Sequence, residues 1–182
     1  MSNVNKWNSW YKDLTNDPSS FRYGDTLTYE LGATFLRECK TVEDWGTGAG
    51  GFKRHMPTAI GVDGSDTPHA EKKFIDLATY TSECEGIFMR HVLEHNYGWE
   101  AVLKNAVNSA TKKLCIVLFT PLSESTVELA HNLKIGVDVP DLSLSKLKFE
   151  EIINSVNPKS IRYEKYSTKT GYNEETVVYV EK

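Results

Sequence analysis

The chain lacks the cysteine patterns of disulfide-rich and zinc-binding proteins. Its 182 residues hold only three cysteines, Cys39, Cys84 and Cys115. An odd number without C-x-x-C spacing argues against a disulfide framework and against a zinc knuckle. We therefore expect reduced thiols that are mostly buried.

The chain also lacks a basic excess and a long apolar run. Its 21 Lys plus Arg and 25 Asp plus Glu give a net charge of −4. Broad nucleic-acid binding is disfavoured, because phosphate neutralisation supplies most of that affinity. The strongest apolar run, within residues 114–119, is far shorter than the about 20 residues of a membrane span. The first residues have no apolar stretch typical of a secretory signal, so we expect a cytoplasmic protein.

What is present is an alternation of strand and helix patterns along one domain, residues 1–182. Hydrophobic residues make up 40% of the chain, enough for a core. The alternation predicts an α/β fold, a doubly wound and mostly parallel sheet between two helical layers. Strands are expected at residues 41–45, 59–63, 73–76, 86–90 and 114–119. Helices are expected at residues 25–40, 99–111 and 146–156, and Asp25 is the expected N-cap of the first. A short helix is expected from the glycine turn to residue 55.

The last third of the chain has a different pattern. Residues 161–166 and 175–180 alternate in polarity around a turn at 169–173, which predicts a C-terminal antiparallel hairpin. Residues 121–144 are less regular, with a predicted short helix at 125–133 and turns at 136–141. Since they follow the carboxyl end of a central strand, we interpret them as a substrate-facing insertion. Residues 1–24 are interpreted as an N-terminal cap segment.

A glycine-rich turn follows the first predicted strand. Gly46, Gly48 and Gly51 satisfy G-x-G-x-x-G, and Asp63 ends the next strand, where an acid can bind ribose hydroxyls. A nucleoside-containing cofactor is therefore predicted. Asp44 lies two residues before the first glycine, where a pyrophosphate would repel it and an ammonium and sulfonium would stabilise it. Asp44 thus favours S-adenosylmethionine over NAD.

Four segments in order resemble the motifs of the class I, Rossmann-like S-adenosylmethionine-dependent methyltransferases. They are residues 44–50 (DWGTGAG), 60–65 (IGVDGS), 74–77 (FIDL) and 88–95 (FMRHVLEH). The resemblance spans residues 25–180 and implies S-adenosylmethionine as cofactor, with the third segment beside adenine. The cofactor-binding residues it implies are Asp44, Gly46, Thr47, Gly48, Gly50, Asp63, Gly64, Asp76, Arg90 and Tyr23.

Three side chains after the fourth-strand segment are the candidate catalytic residues. A hydroxyl acceptor needs a base to take its proton, and His91, His95 and Glu94 have suitable chemistry. On a helical turn they would share one face. The spacing H-x-x-E-H also resembles the E-x-x-E-H metal site of small-RNA 2′-O-methyltransferases and ubiquinone-biosynthesis O-methyltransferases, with His131 as a further candidate ligand. The metal-assisted alternative thus stays open, although His91 replaces the first Glu.

Some aromatic residues are expected to line the pocket and others to pack in the core. Tyr97 and Trp99 follow the histidines, where relatives close over cofactor or acceptor, so they are expected to shape the pocket. Trp7 and Trp10 are expected to pack in the core, since aromatic side chains carry much core area.

The function predicted from these residues is O-methylation of a small molecule or sugar hydroxyl. Enzymes that methylate the amino groups of nucleic-acid bases resemble one another in an Asn/Asp-Pro-Pro-Tyr motif after this strand. The fourth-strand segment here lacks that motif, so base methylation is disfavoured. The short insertion leaves little room for specificity, and a larger substrate-binding domain would have to come from a partner subunit or a second copy. A non-catalytic cofactor-binding accessory module and an NAD-dependent oxidoreductase remain alternatives.

Overall fold

The structure, a computed structural model, describes residues 2–11, 26–133, 137–169 and 172–182. These residues form a six-stranded sheet and a separate two-stranded sheet. The helices are α1 (Asn8–Tyr11), α2 (Leu27–Leu36), α3 (Trp99–Ser109) and α4 (Lys146–Asn154), and the strands are β1 (Val42–Trp45), β2 (Ile60–Val62), β3 (Cys84–Arg90), β4 (Ala110–Leu118), β5 (Val127–Asn132), β6 (Val139–Ser143), β7 (Ser160–Ser167) and β8 (Glu174–Glu181). None of the helices in these ranges has the length and apolar character of a membrane span.

The large sheet has the order β2-β1-β3-β4-β8-β7. Strands β2, β1, β3 and β4 are parallel, and β8 is antiparallel to both β4 and β7. The mostly parallel sheet and the C-terminal hairpin are therefore confirmed. The central strands are buried on both faces, as expected for strands that helices cover on both sides.

Helices cover both faces of the sheet. On one face α2 packs with Phe52, part of a 3₁₀ turn at Phe52–Arg54, against Phe88 of β3. On the other face α3 and α4 pack together, with Leu103 and Phe149 fully buried. The predicted α/β/α sandwich is confirmed. All three cysteines are free, and Cys84 and Cys115 are buried while Cys39 is half-buried.

The strand predicted at residues 73–76 is wrong. Only a single parallel bridge joins Val62 to Lys72 beyond the edge strand β2. Phe74 has a φ of 60°, which is incompatible with an extended strand. The segment instead turns, with the Ile75 amide donating to the Asp63 carbonyl at 3.0 Å. This turn carries Asp76 toward the carboxyl edge of the sheet.

The helix predicted at residues 125–133 is also wrong. The segment contains strand β5, which pairs antiparallel with β6, so part of the predicted turn at 136–141 is strand as well. Val127 and Leu129 are 47% and 45% exposed, so the apolar side chains that suggested a helix do not face the core. Asp25, the predicted N-cap, lies outside the described residues, and α2 begins at Leu27.

We expect Gly32→Ala in α2 to destabilise the protein. A Cβ at this position would lie 2.3 Å from Cε2 of Phe88. That ring cannot easily move, because it is stacked on Phe52 at a centroid distance of 4.1 Å. Overpacking costs about 1–3 kcal/mol, which exceeds the roughly 1 kcal/mol that alanine gains over glycine in a helix.

Urea denaturation of both variants measures this balance. Thr34→Ala, on the exposed face of the same helix, is the matched control and should change the free energy of unfolding by only a few tenths of a kcal/mol. A Gly32→Ala variant more stable than the parent chain would contradict the packing argument.

Candidate active site

A cavity of about 370 Å³ opens at the carboxyl edge of the parallel strands. Its wall combines the glycine turn after β1, the segments after β2 and β3, part of the insertion, and the N-terminal residues 2–11. Open α/β sheets bind ligands at this edge, outside the carboxyl ends of the strands. The cavity is therefore the candidate active site.

The glycine turn forms the floor of the cavity with a backbone that needs glycine. Gly46 and Gly48 have φ values of +77° and +48°. A Cβ on Gly46 would lie 2.4 Å from Cγ2 of Val92, and one on Gly48 would lie 2.8 Å from the hydroxyl oxygen of Tyr11. Side chains at these two positions would therefore clash with Val92 and Tyr11, and the positive φ values also favour glycine.

Asp44 lies beneath the glycine turn and does not reach the cavity wall as described. It is 3% exposed, and the Thr47 hydroxyl, which does line the cavity, donates to its Oδ2 at 2.7 Å. Burial raises the pKa of Asp44 to about 7, although the Thr47 hydrogen bond opposes this. A positive charge above the turn would favour the ionised form.

Asp63 and Asp76 lie on the wall, as the sequence predicted for ribose-binding and adenine-binding acids. Asp63 accepts hydrogen bonds from the amides of Gly48 and Ser65, at 2.9 and 2.8 Å. A carboxylate has about four lone-pair positions, so these bonds leave capacity for a ligand hydroxyl. Burial raises the pKa of Asp63 against these bonds. Gly64 adjoins it, and Asp76 accepts from the Ala78 amide at 3.0 Å.

A buried ion pair supports the wall behind the glycine turn. The Arg90 guanidinium donates to Glu175 Oε1 at 2.7 Å, with the two side chains 4% and 0% exposed. The same oxygen accepts a short hydrogen bond from His91 Nε2, and Thr28 donates to the other oxygen at 2.9 Å. Burial alone would raise the pKa of Glu175, but these bonds and the Arg90 charge keep it below its usual value.

His91 is neutral in this setting. Burial and the neighbouring Arg90 charge lower its pKa to about 4, although Glu175 opposes the change. Its backbone has a φ of 56°. Its ring lines the cavity and packs on Phe119 with a centroid distance of 4.9 Å.

Glu94 does not share a face with the two histidines, contrary to the expectation. Its side chain is fully buried and is absent from the described cavity wall. Oε1 accepts from the Phe119 amide at 2.6 Å, while Oε2 has no partner among the described residues. Burial raises the pKa of Glu94 to about 7. This geometry makes Glu94 a group that holds the start of the insertion rather than one in contact with a ligand.

His95 lines the cavity in a fixed tautomer. Its Nδ1 lies 2.9 Å from the carbonyl oxygen of Pro140 and 3.2 Å from Oδ1 of Asp141. Because a carbonyl only accepts, Nδ1 carries the hydrogen and Nε2 has the free lone pair. Nε2 has no hydrogen-bond partner in the part of the chain that the structure describes. Burial would raise the pKa of Asp141, but the hydrogen bond from His95 keeps it below its usual value.

The four candidate metal ligands do not converge. His91 is bonded to Glu175, His95 to the insertion, and Glu94 to the Phe119 amide. His131 lies on the surface between Glu128 and Asp138, 2.8 Å from each. Across residues 2–11, 26–133, 137–169 and 172–182, no group of three or more His, Cys, Asp or Glu is placed to hold a metal ion. The donor set of the metal-assisted alternative is therefore not assembled.

The structure brings most of the predicted site residues to one wall. Gly50 lies off it, packed on His69, and Tyr23 falls outside the described residues. Those on the wall are Gly46, Thr47, Gly48, Asp63, Gly64, Asp76, Arg90, His91 and His95.

The aromatic predictions need correction. Trp7 and Trp10 line the cavity rather than the core, because residues 2–11 cross its mouth. Trp99 is buried in the core, and Tyr97 borders a smaller neighbouring cavity. Sequence analysis also missed Asp141 and Glu175. The available signal for Glu175 was an acid two residues before the apolar run 177–180 of strand β8, next to the exposed Glu174.

No protein-family model matches the sequence, and no curated protein matches it. Solved structures do match. The N-terminal domain of EvdMO1, solved with S-adenosylhomocysteine, has a TM-score of 0.62 at 13% identity, over 93% of this chain and 82% of that chain. Magnesium protoporphyrin IX methyltransferase (ChlM) from Synechocystis PCC 6803, also with that compound, has a TM-score of 0.60 at 16% identity, over 86% and 83%.

A third match is 1,6-didemethyltoxoflavin-N1-methyltransferase of Burkholderia thailandensis, with a TM-score of 0.62 at 12% identity, over 96% of this chain and 84% of that chain. At such identities the likeness shows the fold. The chain has the class I, Rossmann-like methyltransferase fold.

Glu175→Ala is expected to be strongly destabilising. Removing this carboxylate leaves the buried Arg90 charge unpaired, which costs about 3–5 kcal/mol. The control is Glu174→Ala at the exposed neighbouring position, where the ion pair with Lys165 contributes about 0–1 kcal/mol. Chemical denaturation of both variants makes the comparison, and equal losses would contradict the role given to Glu175.

Proposed function

We propose that the protein is an S-adenosylmethionine-dependent methyltransferase that methylates a hydroxyl group of a small molecule. The observation that carries the proposal is the setting of His95. This residue lies on the wall of the cavity above the glycine turn, and Pro140 and Asp141 fix its tautomer. A base in this state is what a hydroxyl acceptor requires.

The residues around the floor suit the cofactor. Gly46 and Gly48 line the floor without side chains, Asp63 has lone pairs for ribose hydroxyls, and Asp76 on the wall is the acid that the family resemblance assigns to the adenine amino group. When bound, S-adenosylmethionine supplies a methyl group activated by a positive sulfur. Asp44 beneath the turn adds a carboxylate that a cation stabilises in its ionised form.

His95 then accepts the hydroxyl proton at Nε2. The hydrogen on Nδ1 stays bonded there and faces Pro140 and Asp141 of the insertion. The imidazolium that forms is therefore stabilised by the Asp141 carboxylate. His91 is less suited to this task, because its Nε2 is engaged by Glu175 and its pKa is about 4. Both histidines line the cavity, but His95 acts as the base whereas His91 has a structural role beside Glu175.

We expect His95→Ala to lower kcat by about 10²- to 10⁴-fold, the usual contribution of a positioned base. Asp141→Asn should cause a smaller loss, because the Pro140 carbonyl still fixes the tautomer. Turnover is measured by mass spectrometry over a panel of small hydroxyl compounds, with the exposed His55→Ala as control.

Calorimetry with S-adenosylhomocysteine accompanies the turnover assay. A variant that still binds this compound but has lost turnover confirms a chemical role for His95, whereas unchanged turnover would refute it. Binding without turnover in the parent chain across the panel would favour the accessory-module alternative.

The affinity for S-adenosylmethionine should increase with pH between about 6 and 8. In the free protein Asp44 is protonated below its pKa of about 7, and the bound cation favours the ionised form. Binding therefore releases a proton, so a rise in pH strengthens it. Asp44→Asn should flatten this part of the profile.

Calorimetric titration in two buffers of different ionisation enthalpy counts the released protons directly. Asp66→Asn, which changes an exposed acid, serves as the control. A profile that is the same in the parent chain and in Asp44→Asn would remove Asp44 from the site.

A further inference from the structure

The acceptor end of the cavity is lined by a continuous row of aromatic rings. The His95 ring lies between Trp7 and Phe119, with centroid distances of 5.1 Å to each. Phe119 continues to Tyr172 at 6.0 Å, and Tyr11 is stacked on Trp7 at 6.2 Å. All five residues line the cavity. We call Trp7, Tyr11, Phe119 and Tyr172 the aromatic wall; two of its rings, Trp7 and Phe119, contact the ring of His95.

The polar groups at this end are largely bonded to one another. Asn132 Nδ2 donates to Asp141 Oδ1 at 2.7 Å, and that carboxylate also contacts His95 Nδ1. Asn3 Nδ2 donates to the His95 carbonyl at 2.7 Å. His95 Nε2 is thus a polar atom that has no partner among the described residues and that lies beside the aromatic wall. A sugar would place many of its hydroxyls against the aromatic rings, and a buried hydroxyl that faces a ring without a partner is costly.

The charges of the described wall are unfavourable for an anion. Three carboxylates, Asp63, Asp76 and Asp141, line the cavity. The Arg90 charge is paired with Glu175 in a buried ion pair. A phosphate or carboxylate on the acceptor would lie near uncompensated negative charge, in surroundings that screen it weakly.

We propose that the acceptor is a neutral, planar aromatic alcohol that stacks on the aromatic wall and places its single hydroxyl at His95 Nε2. The proposal rests on the proposed function and deepens it. Offset and edge-to-face contacts with aromatic rings favour flat guests over saturated ones of equal size. The hydroxyl oxygen gains the methyl carbon, the bond from that carbon to the cofactor's sulfur breaks, and the hydroxyl proton goes to His95.

Three probes of one skeleton test the chemistry. 2-Naphthol is flat and neutral at pH 7, trans-2-decalol is its saturated counterpart, and 2-naphthoate is a flat anion. Each is titrated calorimetrically into the full chain saturated with S-adenosylhomocysteine. We expect 2-naphthol to bind at least about tenfold more tightly than either of the others. Methyl glucoside, a small sugar, is titrated in the same way as a fourth compound. Equal or tighter binding of trans-2-decalol, of 2-naphthoate or of methyl glucoside would overturn the proposal.

Paired variants locate the binding. Trp7→Ala should weaken 2-naphthol binding by about tenfold and largely remove its preference over trans-2-decalol. Tyr97→Leu, an exposed aromatic residue off the aromatic wall, should leave both unchanged. Equal effects of the two variants would overturn the proposal.

The same titrations separate this proposal from the one it rests on. If S-adenosylhomocysteine binds and 2-naphthol does not, the acceptor class is wrong and the methyltransferase proposal stands. If S-adenosylhomocysteine does not bind, the proposed function fails and the acceptor class fails with it. Mass spectrometry for 2-methoxynaphthalene, with His95→Ala as the negative control, tests the complete reaction.

Discussion

The carboxyl edge of the sheet depends on one buried carboxylate. Glu175 of β8 contacts Arg90 and His91 at the end of β3 and Thr28 of α2, so it joins three elements at the point where the cavity opens. Hydrogen bonds from His91 and Thr28 and the charge of Arg90 stabilise the ionised form of Glu175, and Glu175 in turn compensates the buried charge of Arg90. The antiparallel hairpin at the end of the chain is thus part of the site's support.

The fold was predictable where burial dictates the pattern. Strand β4 is apolar on both faces at its end, as a covered parallel strand must be, and its sequence shows this directly. The wrong predictions of secondary structure occur where contacts between distant segments decide the conformation. Strand β5 is exposed along its length and exists because β6 pairs with it. Residues 73–76 have strand-like composition, but Phe74 in the left-handed region turns the chain.

The candidate site divides in the same way. The glycine turn and Asp63 are predictable because a close backbone approach and a ribose acid recur at a fixed spacing. The partners of the histidines are not, because they come from distant parts of the chain. Pro140 is 45 positions from His95, and Glu175 is 84 positions from His91. Local spacing placed His91, Glu94 and His95 on one face, whereas burial and partners give them three different environments.

The N-terminal segment at the mouth links the two ends of the cavity. The Asn5 amide donates to the Gly64 carbonyl at 2.9 Å, beside the acid after β2, and Asn3 donates to the His95 carbonyl at 2.7 Å. These two bonds connect the segment to both ends of the cavity. Movement of the segment away from the mouth would uncover both ends at once. In the methyltransferase proposed above, both products would dissociate through this one motion, which would couple their residence times.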